Sequence, residues 1–413
     1  MQKLRYVPYI ISLLMVTFAL SQQWQYKSPM TIARKGMAVA VLEQKIWVIG
    51  GSQIGNSSTN VVEVYDPSTD TWDDNYPTIL VSREDAVAQT LFGKIYLFGG
   101  SNQMQLVSEV ECYDPNSGDW QIVSNLPTPR RGLTSVVVDS SVWLIGGSNL
   151  HNTFYNLVEI YHPIENSWDS LGAALNYARS DAMASTRKFG IFVFGGNFFG
   201  PIAQVEWFNP FTNIWVSIGT MLFNCSSAGY TSYNNQCWII GGIGLSGTPL
   251  NRVQVFIHDS SQVRWQEGPP LNTPRRELVA ATVNNRLYAI GGRGLMGHNY
   301  YNIVEELDLL TYLNSHEQAF PTDYVILTNY PNPFNSSTTI QCNIPQNDKV
   351  YLLLYTATGQ KLITIYAGEL PAGLHSFDLS LKNFSGIENS SGLYFVHLKG
   401  RKFSKTHKIF LMK

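Results

Sequence analysis

Along this 413-residue chain the apolar positions change regime twice. Val7 to Leu20 is one nearly unbroken apolar run. From Trp24 to about residue 310, short β-rich runs recur, each closed by a glycine doublet: KIWVIGG, KIYLFGG, SVWLIGG, GIFVFGG, QCWIIGG and RLYAIGG. From Leu327 onward, apolar and polar positions alternate between turn signals, as in VYLLLYTATGQKL and SSGLYFVHLKG. Alternation with period two belongs to strands with one buried face, so the chain predicts β-structure in both long regions.

The doublets are Gly50 and Gly51, Gly99 and Gly100, Gly146 and Gly147, Gly195 and Gly196, Gly241 and Gly242, and Gly291 and Gly292, at intervals of 49, 47, 49, 46 and 50 residues. Self-similarity at that period marks the blades of a propeller. After each of the first four doublets comes a third strand with an aromatic residue and a tryptophan seven positions on: Tyr65 and Trp72, Tyr113 and Trp120, Tyr161 and Trp168, Phe208 and Trp215. In the fifth repeat Phe256 and Trp265 are nine apart, which predicts a longer turn. No tryptophan follows the sixth doublet before the composition changes, but Trp24 stands 48 residues ahead of Trp72. The segment WQYKSPM is therefore expected to supply the outer strand of the sixth blade, a non-covalent latch that removes exposed edges.

These residues resemble the kelch motif, over about residues 24 to 310. The resemblance implies a six-bladed β-propeller in which the glycines let backbones approach closely and the aromatic residues fill the wedge between blades. After residue 327 five motifs occur in order: NYPNPFN, the Thr358-Gly359 turn, AGLH (Ala372 to His375), SGLYF (Ser391 to Phe395) and a basic-apolar final strand ending in Lys413. This region looks like the C-terminal sorting domain of the type IX (Por) secretion system of Bacteroidetes and related bacteria, with Thr356 where many members have Asp. The resemblance implies a small Ig-like β-sandwich read by outer-membrane secretion machinery, with Pro331, Pro333, Gly392, Tyr394 and Lys413 as recognition candidates. It also implies cargo that is released or attached to the cell surface.

The expected organisation is a signal peptide over 1–21, the propeller over 22–317, a linker over 318–326 and the sorting domain over 327–413. Lys3 and Arg5 before the apolar run, with small residues at Ala19 and Ser21 after it, carry the first assignment. The run is too short for a membrane helix, and no transmembrane segment is expected in the mature chain.

In a four-stranded blade, the loops between the second and third strands emerge on the same face as the lead-in to the next blade. That face collects the longer loops and the lead-in arginines Arg34, Arg83, Arg130, Arg131, Arg179, Arg275 and Arg276; the fifth blade has Asn224, Cys225 and Ser226 instead. With Tyr155, Phe198, Phe199 and Tyr300 as exposed aromatics, these residues make a candidate face for a protein or glycan ligand. The competing reading is structural: Glu63, Glu111, Glu159, Glu206, Gln254 and Glu305 stand in register on the third strands and can pair with the arginines. An enzyme of the sugar epimerase or mutarotase type is the alternative function, because periplasmic kelch propellers of that type exist. Glu84 and Glu277 are its candidate acid and base.

Charge sharpens the picture. Residues 22–321 carry 17 basic and 25 acidic side chains, residues 322–413 carry 9 and 5, and the whole chain has a net charge of −2. There is no basic excess for nucleic acid. Two G-x-G-x-x-G matches (Gly242, Gly244, Gly247 and Gly292, Gly294, Gly297) precede strand-like sequence rather than a helix, so they cradle no phosphate. The histidines do not cluster, no cofactor or metal is expected, and the four cysteines read as buried thiols. A monomer is expected.

Overall fold

The computed structural model describes residues 23–411 except 56, 104, 171–172, 188–189, 211, 259–262, 296–298, 313–325, 331–336, 345–346, 372, 381–391 and 402. The expected signal peptide, most of the linker, and Pro331, Pro333 and Lys413 lie outside the described residues. The chain divides into two units, and among described residues the break falls between Tyr312 and Ile326.

The first unit is a six-bladed propeller of four-stranded antiparallel sheets. The innermost strands are Ala38–Leu42, Val87–Leu91, Thr134–Val138, Met183–Arg187, Gly229–Tyr233 and Val279–Val283. Each packs beside the next, and the sixth returns to the first. In blades one to five the third-strand aromatic lies directly opposite the tryptophan of the outer strand, Tyr65 opposite Trp72 and Phe208 opposite Trp215 for example. Phe256 and Trp265 keep this pairing in blade five despite their wider spacing. Six apolar clusters hold the ring together, one at each interface between blades. Aromatic contacts cross several of these interfaces, such as Trp47 with Tyr113 at 4.6 Å and Phe194 with Phe256 at 4.8 Å between ring centroids. Such pairs add about 0.5–1.5 kcal/mol each beyond the area they bury.

Glycine is required at the doublets on two counts. Gly50 and Gly51 sit at φ of 62° and 94°, and a Cβ on Gly50 would stand 2.6 Å from the carbonyl oxygen of Arg83 in the next blade.

The sixth blade holds its own three strands, Val279–Val283, Arg286–Ile290 and Val304–Asp308, plus Gln25–Lys27 from the other end of the propeller sequence. Gln25 pairs with Glu306 and Lys27 with Val304. Trp24 is 3% exposed, donates its indole N–H to the Pro269 carbonyl (2.8 Å), and its own carbonyl accepts from Asn272 Nδ2 (2.7 Å). Asn302 Nδ2 anchors Met30 in the same way (2.9 Å).

The second unit is a sandwich of a three-stranded sheet (Ile326–Tyr330, Ser337–Ile344, Gly373–Ser380) and a four-stranded one (Lys361–Leu370, Asp348–Thr356, Gly392–Lys399, Ser404–Leu411). Both contribute to one core, with Leu327, Ile340, Cys342 and Leu379 from the first and Leu352, Leu354, Val396 and Ile409 from the second. Gly392 pairs with Leu411, and Tyr394 is buried. At the Thr-Gly turn the Thr356 hydroxyl accepts from the Gln360 N–H (3.1 Å).

Deleting residues 22–30 is expected to lower the thermal midpoint of the full chain by several degrees, because it reopens one sheet edge and uncovers the cluster around Trp24. Differential scanning calorimetry checks it; an unchanged midpoint would show that ring closure does not rest on this strand.

Candidate functional site

Each blade begins with a three-residue lead-in: Arg34-Lys35-Gly36, Arg83-Glu84-Asp85, Arg130-Arg131-Gly132, Arg179-Ser180-Asp181, Cys225-Ser226-Ser227 and Arg275-Arg276-Glu277. The three positions do different work, and the difference decides which residues can meet a ligand.

The first position is structural. The backbone carbonyl of each residue accepts from the second glycine of the preceding blade, as in Gly51 to Arg83 (2.8 Å) and Gly147 to Arg179 (2.8 Å). The guanidinium then turns into its own blade. Arg34 donates to the Gly50 carbonyl (2.6 Å), and Arg179 to those of Gly195 (2.8 Å) and Gln204 (2.9 Å). Each guanidinium also meets the third-strand carboxylate: Arg34 with Glu63, Arg83 with Glu111 and Arg130 with Glu159 at 2.5 Å, Arg179 with Glu206 at 2.6 Å, and Arg275 with Glu305. The carboxylates complete their shells with lead-in N–H groups, such as Leu80 (2.6 Å) and Val81 (3.0 Å) on Glu111. Burial lowers the pKa of these guanidinium groups and the paired glutamates oppose that shift.

These five arginines are at most 1% exposed. The expectation that they offer charge to a ligand is therefore corrected: Arg34, Arg83, Arg130, Arg179 and Arg275 lie beneath the face as staples between blades. Blade five changes both partners together. Cys225 replaces the arginine, with its thiol 3.3 Å from the Gly241 carbonyl, and neutral Gln254 replaces the glutamate, exchanging hydrogen bonds with the Phe223 backbone (3.2 and 3.3 Å).

The second position reaches the channel mouth, where its backbone pairs with the loop after the second strand: Lys35 with Ser52, Glu84 with Ser101, Arg131 with Ser148, Ser180 with Asn197, Ser226 with Ile243 and Arg276 with Arg293. The third position forms a closed backbone cycle around the axis. Asp85 N–H donates to Gly36 O (2.8 Å), Gly132 to Asp85 (2.9 Å), Asp181 to Gly132 (2.6 Å), Ser227 to Asp181 (3.1 Å), Glu277 to Ser227 (2.8 Å) and Gly36 to Glu277 (2.9 Å). All six have left-handed backbones, with φ between 51° and 61°.

The third-position residues line a channel of about 500 Å³, and of the second-position residues Lys35 meets the Glu277 carboxylate among them and Glu84 reaches it through Lys35. Lys35 Nζ stands 2.6 Å from Glu84 Oε2 and 3.2 Å from Glu277 Oε2, so it joins the two carboxylates that sequence reasoning offered as acid and base. Arg293 holds Glu277 Oε1 from Nε (2.9 Å) and Nη2 (2.6 Å). Burial alone would lower the Lys35 pKa, but Asp85, Glu277 and Glu84 hold it above its ordinary value. Glu277 is lowered despite burial, by Lys35, Arg293 and Arg276. Asp85 goes the other way: burial, aided by Glu84, Asp181 and Glu277 and opposed by Lys35, pushes its carboxyl up to about 7. Burial also raises Asp181. Deeper in the channel Tyr230 of blade five reaches Thr134 of blade three, hydroxyl to hydroxyl at 2.7 Å.

Of the sequence candidates, Arg131 (33% exposed at the side chain) and Arg276 (22%) stand at the mouth. Phe198 and Phe199 are exposed and pack edge-on with Phe154 at centroid distances of 5.6 and 5.2 Å. Tyr155 is half-buried, and Tyr300, expected to be exposed, is 7% exposed and packs into blade six. Lys35, Asp85, Asp181 and Arg293 escaped sequence reasoning. The available signal was the residue two places after each lead-in arginine, small in blades one and three and acidic in two, four and six. Among the described residues no three His, Cys, Asp or Glu side chains are placed to hold a metal ion, all four cysteines are free and buried, and no helix is long and apolar enough to cross a membrane.

Comparison with known proteins agrees with this architecture. Residues 9–196 match the family described as KLHDC2/KLHL20/DRC7 Kelch-repeats domain, and residues 328–412 match the Secretion system C-terminal sorting domain. Among curated relatives, Kelch-like protein 36 of Mus musculus is 25% identical over 61% of this chain and 42% of its own, and Beta-scruin of Limulus polyphemus 26% over 52% and 25%. The chain thus spans less than half the length of these relatives. A solved structure, "Structure of YjhT", shares the fold with a TM-score of 0.58 at 16% identity, covering 68% of this chain and 96% of that one. The protein is a kelch-repeat propeller with a C-terminal Por secretion sorting domain.

Arg179→Met is expected to destabilise the propeller by about 3–5 kcal/mol, since it leaves Glu206 charged and buried. Adding Glu206→Gln, which imitates blade five, is expected to restore part of that loss. Urea unfolding of the single and double variants measures both, and equal losses would show that the uncompensated charge is not the cause.

Proposed function

We propose that this protein is a secreted or surface-displayed binding module. Its loop-rich propeller face takes a protein or glycan ligand, and residues 327–413 direct export through the type IX pathway after a signal peptide over residues 1–21. The observation that carries the reading is the composition of that face. Asp85, Asp181 and Glu277 line the channel, the cations Lys35, Arg131, Arg276 and Arg293 pair with Asp85, Glu84 or Glu277 beside it, and loops of the propeller expose Ile54, Phe198, Phe199, Leu245 and Leu295. Apolar tips around a polar, charged centre suit recognition of another molecule, with aromatic rings stacking on a sugar or anchoring a protein.

One observation favours a second reading, a sugar epimerase or mutarotase. Asp85, in the channel and pushed up to about 7, is poised to exchange a proton near neutral pH, as acid/base work requires. It fits that role better than Glu277, which three cations hold ionised, or Glu84, which is bound to Lys35.

Arg131→Ala with Arg276→Ala is expected to weaken ligand binding at least tenfold on a glycan and protein array while leaving the thermal midpoint within about 2 °C, because both side chains are partly exposed. Full binding by the double variant would exclude the mouth as the site. Removing residues 327–413 is expected to leave the propeller in the periplasm, as cell fractionation would show; arrival at the surface without them would overturn the export assignment.

A further inference from the structure

The two sheets of the C-terminal sandwich turn different faces outward. On the three-stranded sheet the described side chains that alternate with core positions are polar: Ser337, Thr339, Ser376 and Asp378, with the Thr339 hydroxyl donating to the Asp378 carboxylate (2.8 Å). That is the pattern of a sheet with one wet face. The four-stranded sheet departs from it. Its strand Asp348–Thr356 alternates the core residues Val350, Leu352 and Leu354 with Tyr351, Leu353 and Tyr355. The adjacent strand Gly392–Lys399 alternates Tyr394, Val396 and Leu398 with Leu393, Phe395 and His397. Register sets the outward side chains beside one another, Tyr355 opposite Phe395 and Leu353 opposite His397, and Phe410 of the edge strand stands opposite Leu393. Tyr351 is 40% exposed and Phe410 46%. Central strands that are apolar or aromatic on both faces suit a sheet covered on both.

This outward face also holds a recess of about 280 Å³, lined by Tyr355, Phe395, His397, Thr406 and the turn at Gly359. Its wall is fixed in advance. His397 hydrogen-bonds through Nδ1 with the Thr406 hydroxyl (2.8 Å) and through Nε2 with that of Ser404 (3.3 Å), and its ring stands edge-on to Tyr355 at 6.1 Å between centroids. Exposed Lys361, Lys399 and Lys408 lie opposite Tyr355, Tyr351 and Phe395 in the ladders, so cations rim the apolar centre. The recognition candidates drawn from the motifs are less accessible, since Tyr394 belongs to the core and Gly392 pairs with Leu411.

We propose that the outward face of the four-stranded sheet is the surface by which this domain docks on the outer-membrane secretion machinery, against an apolar protein surface with an acidic rim that places one anchor side chain in the recess. The proposal rests on the export reading of residues 327–413. The match of residues 328–412 to a secretion sorting domain names the kind of partner. Charge describes its surface, because residues 322–413 carry 9 basic and 5 acidic side chains and three of the basic ones rim this face. An apolar centre with a preformed recess and a polar rim is the anatomy of a protein interface with a central anchor.

Expression of the full chain in its secreting bacterium, followed by cell fractionation, tests the proposal. Tyr355→Ser with Phe395→Ser is expected to cut the surface fraction at least about tenfold and hold the chain in the periplasm, and Phe410→Ser to cut it at least about threefold. Ser376→Lys, on the polar sheet, is expected to leave export unchanged. Circular dichroism and the thermal midpoint of each purified variant check folding; should the serine pair fail to fold, Phe410→Ser and a crosslink decide. For the crosslink, benzoylphenylalanine in place of Tyr351 is photolysed in intact cells and is expected to join the chain to an outer-membrane protein, whereas the same group in place of Thr339 is not. A crosslink from position 351 to a second copy of this chain or to lipid, or normal export of the folded face variants, would overturn the proposal. If removing residues 327–413 stops export while the face variants pass, this inference fails and the export reading stands; if the truncated chain still reaches the surface, both fall.

Discussion

The fold depends on a closed cycle of six backbone hydrogen bonds around the propeller axis. Each of Gly36, Asp85, Gly132, Asp181, Ser227 and Glu277 donates to the blade before it and accepts from the blade after it. A blade that slips breaks two of these bonds at once. The cycle closes only because all six residues adopt a left-handed backbone, which Gly and Asp accept readily and Ser227 and Glu277 accept at a cost of order 1–3 kcal/mol. Backbone groups spent on the cycle leave the side chains directed into the channel. The residues that build the ring are therefore the ones that furnish its chemistry.

Outside the cycle, the lead-in arginines solve a second problem, joining neighbouring sheets that share no strand. Carbonyl and guanidinium of one residue engage two blades, and the glutamate opposite makes the buried charge tolerable. Blade five shows how strict the coupling is. A lone Arg→Cys change would strand a buried carboxylate, but Gln254 removes that charge, and the joint survives with neutral hydrogen bonds. The pair behaves as one unit.

Much of this was legible in the residues. The doublets, the tryptophan spacing and the missing sixth tryptophan pointed to six blades and to the strand Gln25–Lys27, because glycine and tryptophan mark positions where backbone approach and wedge filling leave little choice. The register of Glu63, Glu111, Glu159, Glu206 and Glu305 pointed to partners for arginine. Exposure could not be read in the same way. Arg130 and Arg131 are adjacent and chemically identical, yet one is buried and the other half-open, because backbone direction at the blade entrance sends them to different sides. Asp85 and Asp181 were hidden for a related reason: their setting comes from blades some 49 residues away on either side, and no local pattern shows six distant triplets meeting at one axis.

Separation of tasks along three consecutive residues explains how such a ring can alter the charge beside its channel without losing its fold. The first position is fixed by the glycine doublet and the third-strand glutamate. The third must suit a left-handed backbone but otherwise varies among glycine, serine and acids, and the second runs through Lys, Glu, Arg, Ser, Ser and Arg. Substitution at the second position changes the charge of the mouth while its backbone pair with the adjoining loop is kept, except at Lys35, whose buried ammonium also joins Glu84 and Glu277 of the neighbouring blades. In the sorting domain the two sheets close around a core of their own. The joints between blades and the charge beside the channel are thus set by different residues, the first lead-in position carrying the one and the second and third the other.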